Sequence, residues 1–266
     1  MASARLIDWR APWLAPLIAL QPRLEEAQFH ATLTQLTQLA QARGVVSGHG
    51  EPITFVAADD AGAVPYELHI ARSGRVPTRH NLHDLFNAAV WLTYPRLKAT
   101  MNRRQAQDLR AEMGGTARRG PQRDAATLLD ESGLLLAVDE RFASSAVFHA
   151  ELRAHAWSTL FGAWRARWHQ HWAPYLVGHA VMEKLVQPYA AITARVCVVA
   201  MAQDDIHDAA AVDAAAAHAL ERNPIWSSMA LPPLPVLGIP GWWPANESPA
   251  FYANSQVFRP ARSVPA

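Results

Sequence analysis

Cysteine is almost missing from this chain of 266 residues: there is one, Cys197. A single thiol excludes an intrachain disulfide and any zinc site assembled from several cysteines. It lies in the apolar run Arg195-Val-Cys-Val-Val-Ala-Met201, where burial would raise its pKa and leave it a poor nucleophile. Charge is scarce too. Charged residues make up 18% of the chain and the formal net charge is +1, so no basic face for nucleic acid is expected. The basic pairs Arg103–Arg104 and Arg118–Arg119 read as solvated surface. Long apolar runs are also lacking. Ala11–Leu20 has about the length of a signal-peptide core, but Asp8 precedes it, Gln21-Pro22 follows, and no small-residue cleavage site closes it. It is too short for a bilayer, which needs roughly 20 apolar residues. The segment 1–22, with Trp9 and Trp13, is expected to pack on the domain, and the protein to be cytoplasmic with no membrane partner. No Walker loop, nucleophile-elbow serine, dinucleotide fingerprint or CxxC occurs, which argues against the common nucleotide-dependent and serine-hydrolase chemistries.

What is abundant is core material, since 50% of the residues are hydrophobic. With no internal repeat or flexible linker, one α+β domain over 1–266 is expected: mostly helical, with a small β-sheet and a long proline-rich C-terminal strap over 223–266. Leu24 to Arg43 has helical spacing (Phe29, Leu33, Leu36, Leu39) and ends at Gly44. Ile53–Ala58 and Tyr66–Arg72 read as strands joined at Asp59-Asp-Ala-Gly62 into a hairpin. Leu82, Leu85, Phe86, Ala89 and Val90 form a helical stripe starting near Asn81 and stopped by Pro95. A helix from Arg96 to Met113 follows, then one from Pro121 to Gly133, then a buried strand, Leu134–Val138.

Phe148 to His171 reads as helical, with Trp157, Trp164, Trp168 and Trp172 spaced to share one face as an aromatic packing seam. Tyr175 to Gln187 is apolar on nearly every side and predicts a buried helix. Arg195–Met201 is a strand and Asp204–Glu221 a helix with an acidic start. The tail around Pro232–Pro244 is too rich in proline for helix or central strand. It should wind over the surface and bury Trp242, Trp243, Phe251, Tyr252 and Phe258.

Three polar clusters sit among these elements. In Arg79-His-Asn-Leu-His-Asp-Leu-Phe-Asn87, residues His83, Asn87 and Trp91 lie one helical turn apart, with Asp84 beside them. Short directional side chains suit a walled site, although Asn81 followed by Asp84 also matches a helix cap. In the segment Gly120 to Glu131, Asp124, Thr127 and Glu131 share one face, and Arg123, Thr127 and Asp130 its neighbour. Carboxylates with an arginine can hold a divalent cation or work as acid and base. A dipole-favoured Asp124 with surface ion pairs is the plainer alternative. In Gly178-His-Ala-Val-Met-Glu-Lys184, His179 and Glu183 are one turn apart and can co-ligate a metal or form a buried structural pair.

These clusters, together with Leu234-Pro-Val-Leu-Gly-Ile-Pro-Gly-Trp242, resemble a bacterial family known as a domain of unknown function, of the DUF3025 type. The strings that carry the resemblance are His80-Asn81, Asn87-Ala-Ala-Val-Trp91, Tyr94-Pro95, Arg123-Asp-Ala-Ala-Thr127, Asp130-Glu131, Gly178-His179, Glu183-Lys184 and Val257-Phe-Arg-Pro260. The resemblance covers most of the chain, from about Trp9 to Pro260. The family carries no established reaction, so the resemblance assigns no catalytic residue.

Two readings follow. In the first, the protein is a metal-dependent hydrolase of a small or anionic substrate. His80, His83, Asp84, Asn87, Arg123, Asp124 and Lys184 serve binding and catalysis, and Asp130, Glu131, His179 and Glu183 supply ligands for a divalent metal ion. Arg123 would take an anionic group of the small-molecule ligand. A hairpin followed by a helix bearing histidine and asparagine is also loosely similar to small metal-finger nucleases, which the near-neutral charge disfavours. In the second reading the protein is a non-catalytic binding or interaction protein, and the same residues form buried networks. Convergence of the three clusters in space separates the two.

Overall fold

A computed structural model describes residues 7–21, 29–58, 64–115, 120–222 and 227–261. The fold is α+β and mostly helical, with a two-stranded and a four-stranded sheet. Among the described residues no helix is long and apolar enough to cross a membrane. The N-terminal segment forms a 3-10 helix, Pro12–Leu20, that buries Trp13, Leu14, Leu17 and Leu20. Helix α1 (Phe29–Ala42) follows, Leu33 and Leu36 facing the core. Residues 24–28, where this helix was expected to begin, lie outside the described residues, as do Arg118–Arg119 and the turn Asp59-Asp-Ala-Gly62.

The expected hairpin is not formed. Strand β1 (Thr54–Ala57) is followed by a helix, α2 (Tyr66–Ser73), and then by β2 (Arg75–Thr78), which pairs with β1 in parallel, Phe55 opposite Val76. The run from Tyr66 alternates loosely, but Leu68 and Ala71 are also one helical turn apart, Pro65 stands at the N-cap and Glu67 in the first turn. Gly74 ends α2 with φ 68°, and a Cβ there would meet the Pro52 carbonyl oxygen at 2.1 Å, so glycine is required. A hairpin-based likeness to metal-finger nucleases therefore loses its structural basis.

Helix α3 (Leu82–Thr93) starts where expected, the Asn81 side chain accepting from the Asp84 backbone N–H at 2.8 Å. Pro95 stops it and opens α4 (Pro95–Met113). The first turn of α4 is capped from a distance: Asp213 accepts from the N–H groups of Arg96 (3.0 Å) and Leu97 (2.8 Å). Helix α5 (Pro121–Ser132) runs directly into β3 (Gly133–Asp139), every residue of which is buried. Two short helices, α6 (Glu140–Ala143) and α7 (Ala146–Arg153), come next.

The tryptophan seam does not lie along one helix. His155 takes φ 55°, a π-helical turn spans Ser158–Ala163, and Trp172 begins strand β4 (Trp172–Leu176). The rings still meet, Trp172 lying 5.8 Å from Trp164 and 5.5 Å from Trp168. The buried helix expected from Tyr175 is split between β4 and a short helix, α8 (His179–Lys184). An uninterrupted apolar run suits a buried strand as well as a buried helix, and here the antiparallel edge of β3 takes its first half.

Strand β5 (Thr193–Met201) pairs in parallel with β3 on its other side. Helix α9 (Ala209–Arg222) starts later than expected, because Asp204 and Asp205 belong to a separate turn, Gln203–Asp205. Edge strand β6 (Pro233–Pro235) completes the sheet order β4-β3-β5-β6. The strap beyond it buries Trp242 and Phe258, while Trp243, Phe251 and Tyr252 are half-buried. Asn246 anchors it, its Nδ2 donating to the carbonyls of Leu237 (2.8 Å) and Ile239 (2.7 Å).

Candidate metal centre

One backbone clamp brings two of the clusters together. The N–H groups of Val177 and Gly178 both donate to the Gly133 carbonyl, at 3.0 and 2.8 Å. This ties the start of α8 to the end of α5. At Gly178 a Cβ would strike the backbone of Gly133 and Ser132 at 2.4–2.6 Å, so only glycine permits the approach. Helix α3 packs on α8 from the other side. His83 of α3, Glu131 of α5 and His179 of α8 consequently meet at one end of a pocket of about 400 Å³.

The contacts are specific. His83 Nε2 and His179 Nε2 are 3.0 Å apart, and Glu131 Oε2 is 4.0 Å from the first and 3.7 Å from the second. The circumcentre of that triangle lies about 2.1 Å from each atom, within the ordinary range for nitrogen and oxygen ligands of zinc. His83 Nδ1 is 3.1 Å from Glu183 Oε2. An ionised carboxylate only accepts, so that contact places the proton on Nδ1 and leaves a lone pair on Nε2. His179 Nδ1 faces Asp130 Oδ1 at 3.9 Å and makes no hydrogen bond.

A second layer supports these groups. Lys98 of α4 is 5% exposed and donates through Nζ to Asp130 Oδ1 (2.5 Å) and Asn87 Oδ1 (2.9 Å). Asn87 Nδ2 in turn donates to the Tyr66 hydroxyl at 3.0 Å. Arg79 grips Asp84 with two guanidinium bonds of 2.9 and 3.0 Å and a backbone N–H bond of 2.6 Å. Burial alone would raise both aspartates, yet Arg79 holds Asp84 low, and Lys98 with the neighbouring histidines holds Asp130 low. Burial pushes His179 down to about 4, against the pull of Asp130. Burial raises Glu131. Glu67, half-buried with Asp130 nearby, is pushed up to about 7 by loss of water around it and by that charge.

Of the residues singled out by sequence, His83, Asp84, Asn87, Asp130, Glu131 and His179 line this pocket, and Glu183 holds His83 from outside it. His80 and Lys184 are exposed and line no part of it. Asp124 is exposed in the first turn of α5. Arg123 donates to Glu112 at 2.5 Å and does not line the pocket; Arg79 is the arginine on the pocket wall. Of the other residues expected as ligands, Asp130 Oδ1 lies 3.9 Å from His179 Nδ1 and Glu183 Oε2 lies 3.1 Å from His83 Nδ1. Lys98, Tyr66, Glu67 and Arg79 were not anticipated. A signal for Lys98 exists: with Asn102 and Gln105 it follows the helical phase of buried Leu97 and Met101.

Fold and site together define a class: a mostly helical α+β protein with a histidine–carboxylate pocket walled by a buried Lys98–Asp130 pair and by Asp84 paired to an exposed Arg79. The chain belongs to the family described as protein of unknown function (DUF3025), whose model matches residues 53–262. That span contains every residue lining the pocket. No curated protein and no solved structure matches the chain.

Proposed function

We propose that this protein is a metal-dependent hydrolase of a small substrate, with His83, Glu131 and His179 holding one divalent cation. The carrying observation is that their three ligand atoms surround a point about 2.1 Å from each. Glu183 points the Nε2 lone pair of His83 toward that point, as the outer carboxylate does in carboxylate–histidine–metal arrangements. Asp130 stands on the corresponding side of His179. A bound cation of this kind lowers the pKa of a coordinated water and supplies a nucleophile at neutral pH. Glu67 lines the same pocket, and burial with Asp130 nearby outweighs the pull of Lys98 and Arg123 and leaves its pKa near neutrality, which suits it to take or return a proton. Arg79 and Lys98 are both engaged by aspartates, so an anionic substrate would rely on the metal and the rim face of Arg79.

The test is elemental analysis of the purified chain by plasma mass spectrometry after dialysis without chelator, joined to a screen of phosphoesters, esters and amides. The expected result is one first-row metal per chain, lost in His179→Ala and in Glu131→Gln but kept in Lys184→Ala, with hydrolysis following metal content. Absence of retained metal, and of any thermal shift when zinc or manganese is added, would refute the site. Bound iron with oxygen consumption and no hydrolysis would refute the reaction while keeping the ligands.

A further inference from the structure

A second concavity, of about 820 Å³, lies between the end of α7, the start of β5 with edge strand β6, and the C-terminal strap. It shares no lining residue with the metal pocket. Three arginines border it, Arg153, Arg195 and Arg259, and no aspartate or glutamate does. Two of the guanidiniums rest on backbone carbonyls: Arg195 on Leu231 (3.4 Å) and Arg259 on Gln256 (3.0 Å). Carbonyls position a guanidinium without neutralising it. Among the described residues none of the three arginines forms an ion pair, whereas Arg79, Arg103, Arg123, Arg141 and Arg165 all do.

The remaining wall is mostly apolar and includes four prolines, Pro232, Pro233, Pro235 and Pro260. Trp157 is buried, stacks on His155 at 5.0 Å and donates its indole N–H to the Arg259 carbonyl at 2.7 Å. His155 holds a left-handed backbone, φ 55°, and its Nδ1 is sealed from solvent without a hydrogen-bond partner. A non-glycine residue in that conformation with an orphaned polar atom is the kind of local cost that accompanies binding sites. Each guanidinium offers a fork of donors matched to planar or tetrahedral anions.

We propose that this groove is a ligand site for a small molecule with an anionic head group on an apolar body, the head group taken by the three arginines and the body laid beside Trp157 on Pro232 and Pro233. The probe is naphthalenesulfonate, permanently charged and a weak metal ligand, titrated by calorimetry and by NMR of the indole N–H groups. Expected are a shift of the Trp157 resonance, a slope of affinity against salt, and binding about five- to tenfold weaker in each of Arg153→Gln, Arg195→Gln and Arg259→Gln. Arg222→Gln, on the exposed end of α9, should leave it unchanged. Equal binding of the neutral naphthalenemethanol would overturn the proposal by reducing the groove to an apolar surface. So would an unmoved Trp157 signal, or affinity unchanged in all three arginine variants. These substitutions are on half-buried or exposed arginines, so melting temperatures should stay at the parent value and leave the reading clean.

Discussion

Replacing Lys98 with methionine tests the buried scaffold of the pocket most directly. Methionine fills nearly the same volume, so the substitution removes charge and donors with little loss of packing. At 2.5 Å from Asp130, and with an effective dielectric near 20, the lost attraction is about 6–7 kcal/mol before desolvation is considered. Part of that returns, because a buried ammonium no longer has to leave water. What remains is an aspartate, 13% exposed at its side chain, with no cation beside it and an Asn87 oxygen with no donor. Breaking a buried pair by removing one partner costs about 3–5 kcal/mol. With a urea m-value of about 3 kcal/mol/M for a chain of this size, the unfolding midpoint should fall by 1–1.7 M at unchanged slope. The decisive comparison is the double variant Lys98→Met with Asp130→Asn. It leaves no orphaned charge, so it should be at least about 2 kcal/mol more stable than the two single effects added together. A Lys98→Met cost below about 1 kcal/mol, or strict additivity, would refute the reasoning that this pair is buried and coupled.

Gly178→Ala should cost about 1–3 kcal/mol and abolish metal retention without touching a ligand, because a Cβ would push the start of α8 off the Gly133 backbone; melting and metal content report both. Asp139, buried at the end of β3, is held down to about 2, mainly by its hydrogen bonds to Arg141. Its folded pKa lies below the unfolded one, so its contribution is complete above about pH 4 and lost as pH falls through about 2. Melting temperatures between pH 2 and 5 should therefore drop less steeply in Asp139→Asn than in the parent. Cys197 is buried and its thiol pushed up to about 12, so it should resist a thiol reagent at neutral pH until the chain unfolds. Rapid labelling of the native protein would contradict its placement in β5.

Local rules carried much of this protein in legible form. Asn81 as a cap, Pro121 and Gly133 bounding α5, and Leu134–Val138 as the middle of β3 followed from residues adjacent in sequence, because caps, prolines and glycines act on their own backbone. The clusters carrying His83, Glu131 and His179 stood out for the same reason: short polar side chains in apolar surroundings need partners. Which partners they found was decided by tertiary structure. The run from Trp172 to Lys184 satisfied both helical and strand burial, and only the free edge of β3 made its first half a strand. Glu183 met His83 across 100 positions of sequence rather than its helical neighbour His179. Asp130 was claimed by Lys98 and Arg123 by Glu112, each from α4, and those choices left Glu131 as the carboxylate beside the two histidines. Such pairings depend on how helices cross and how much water the crossing excludes, quantities set by the whole chain and by no single stretch of it.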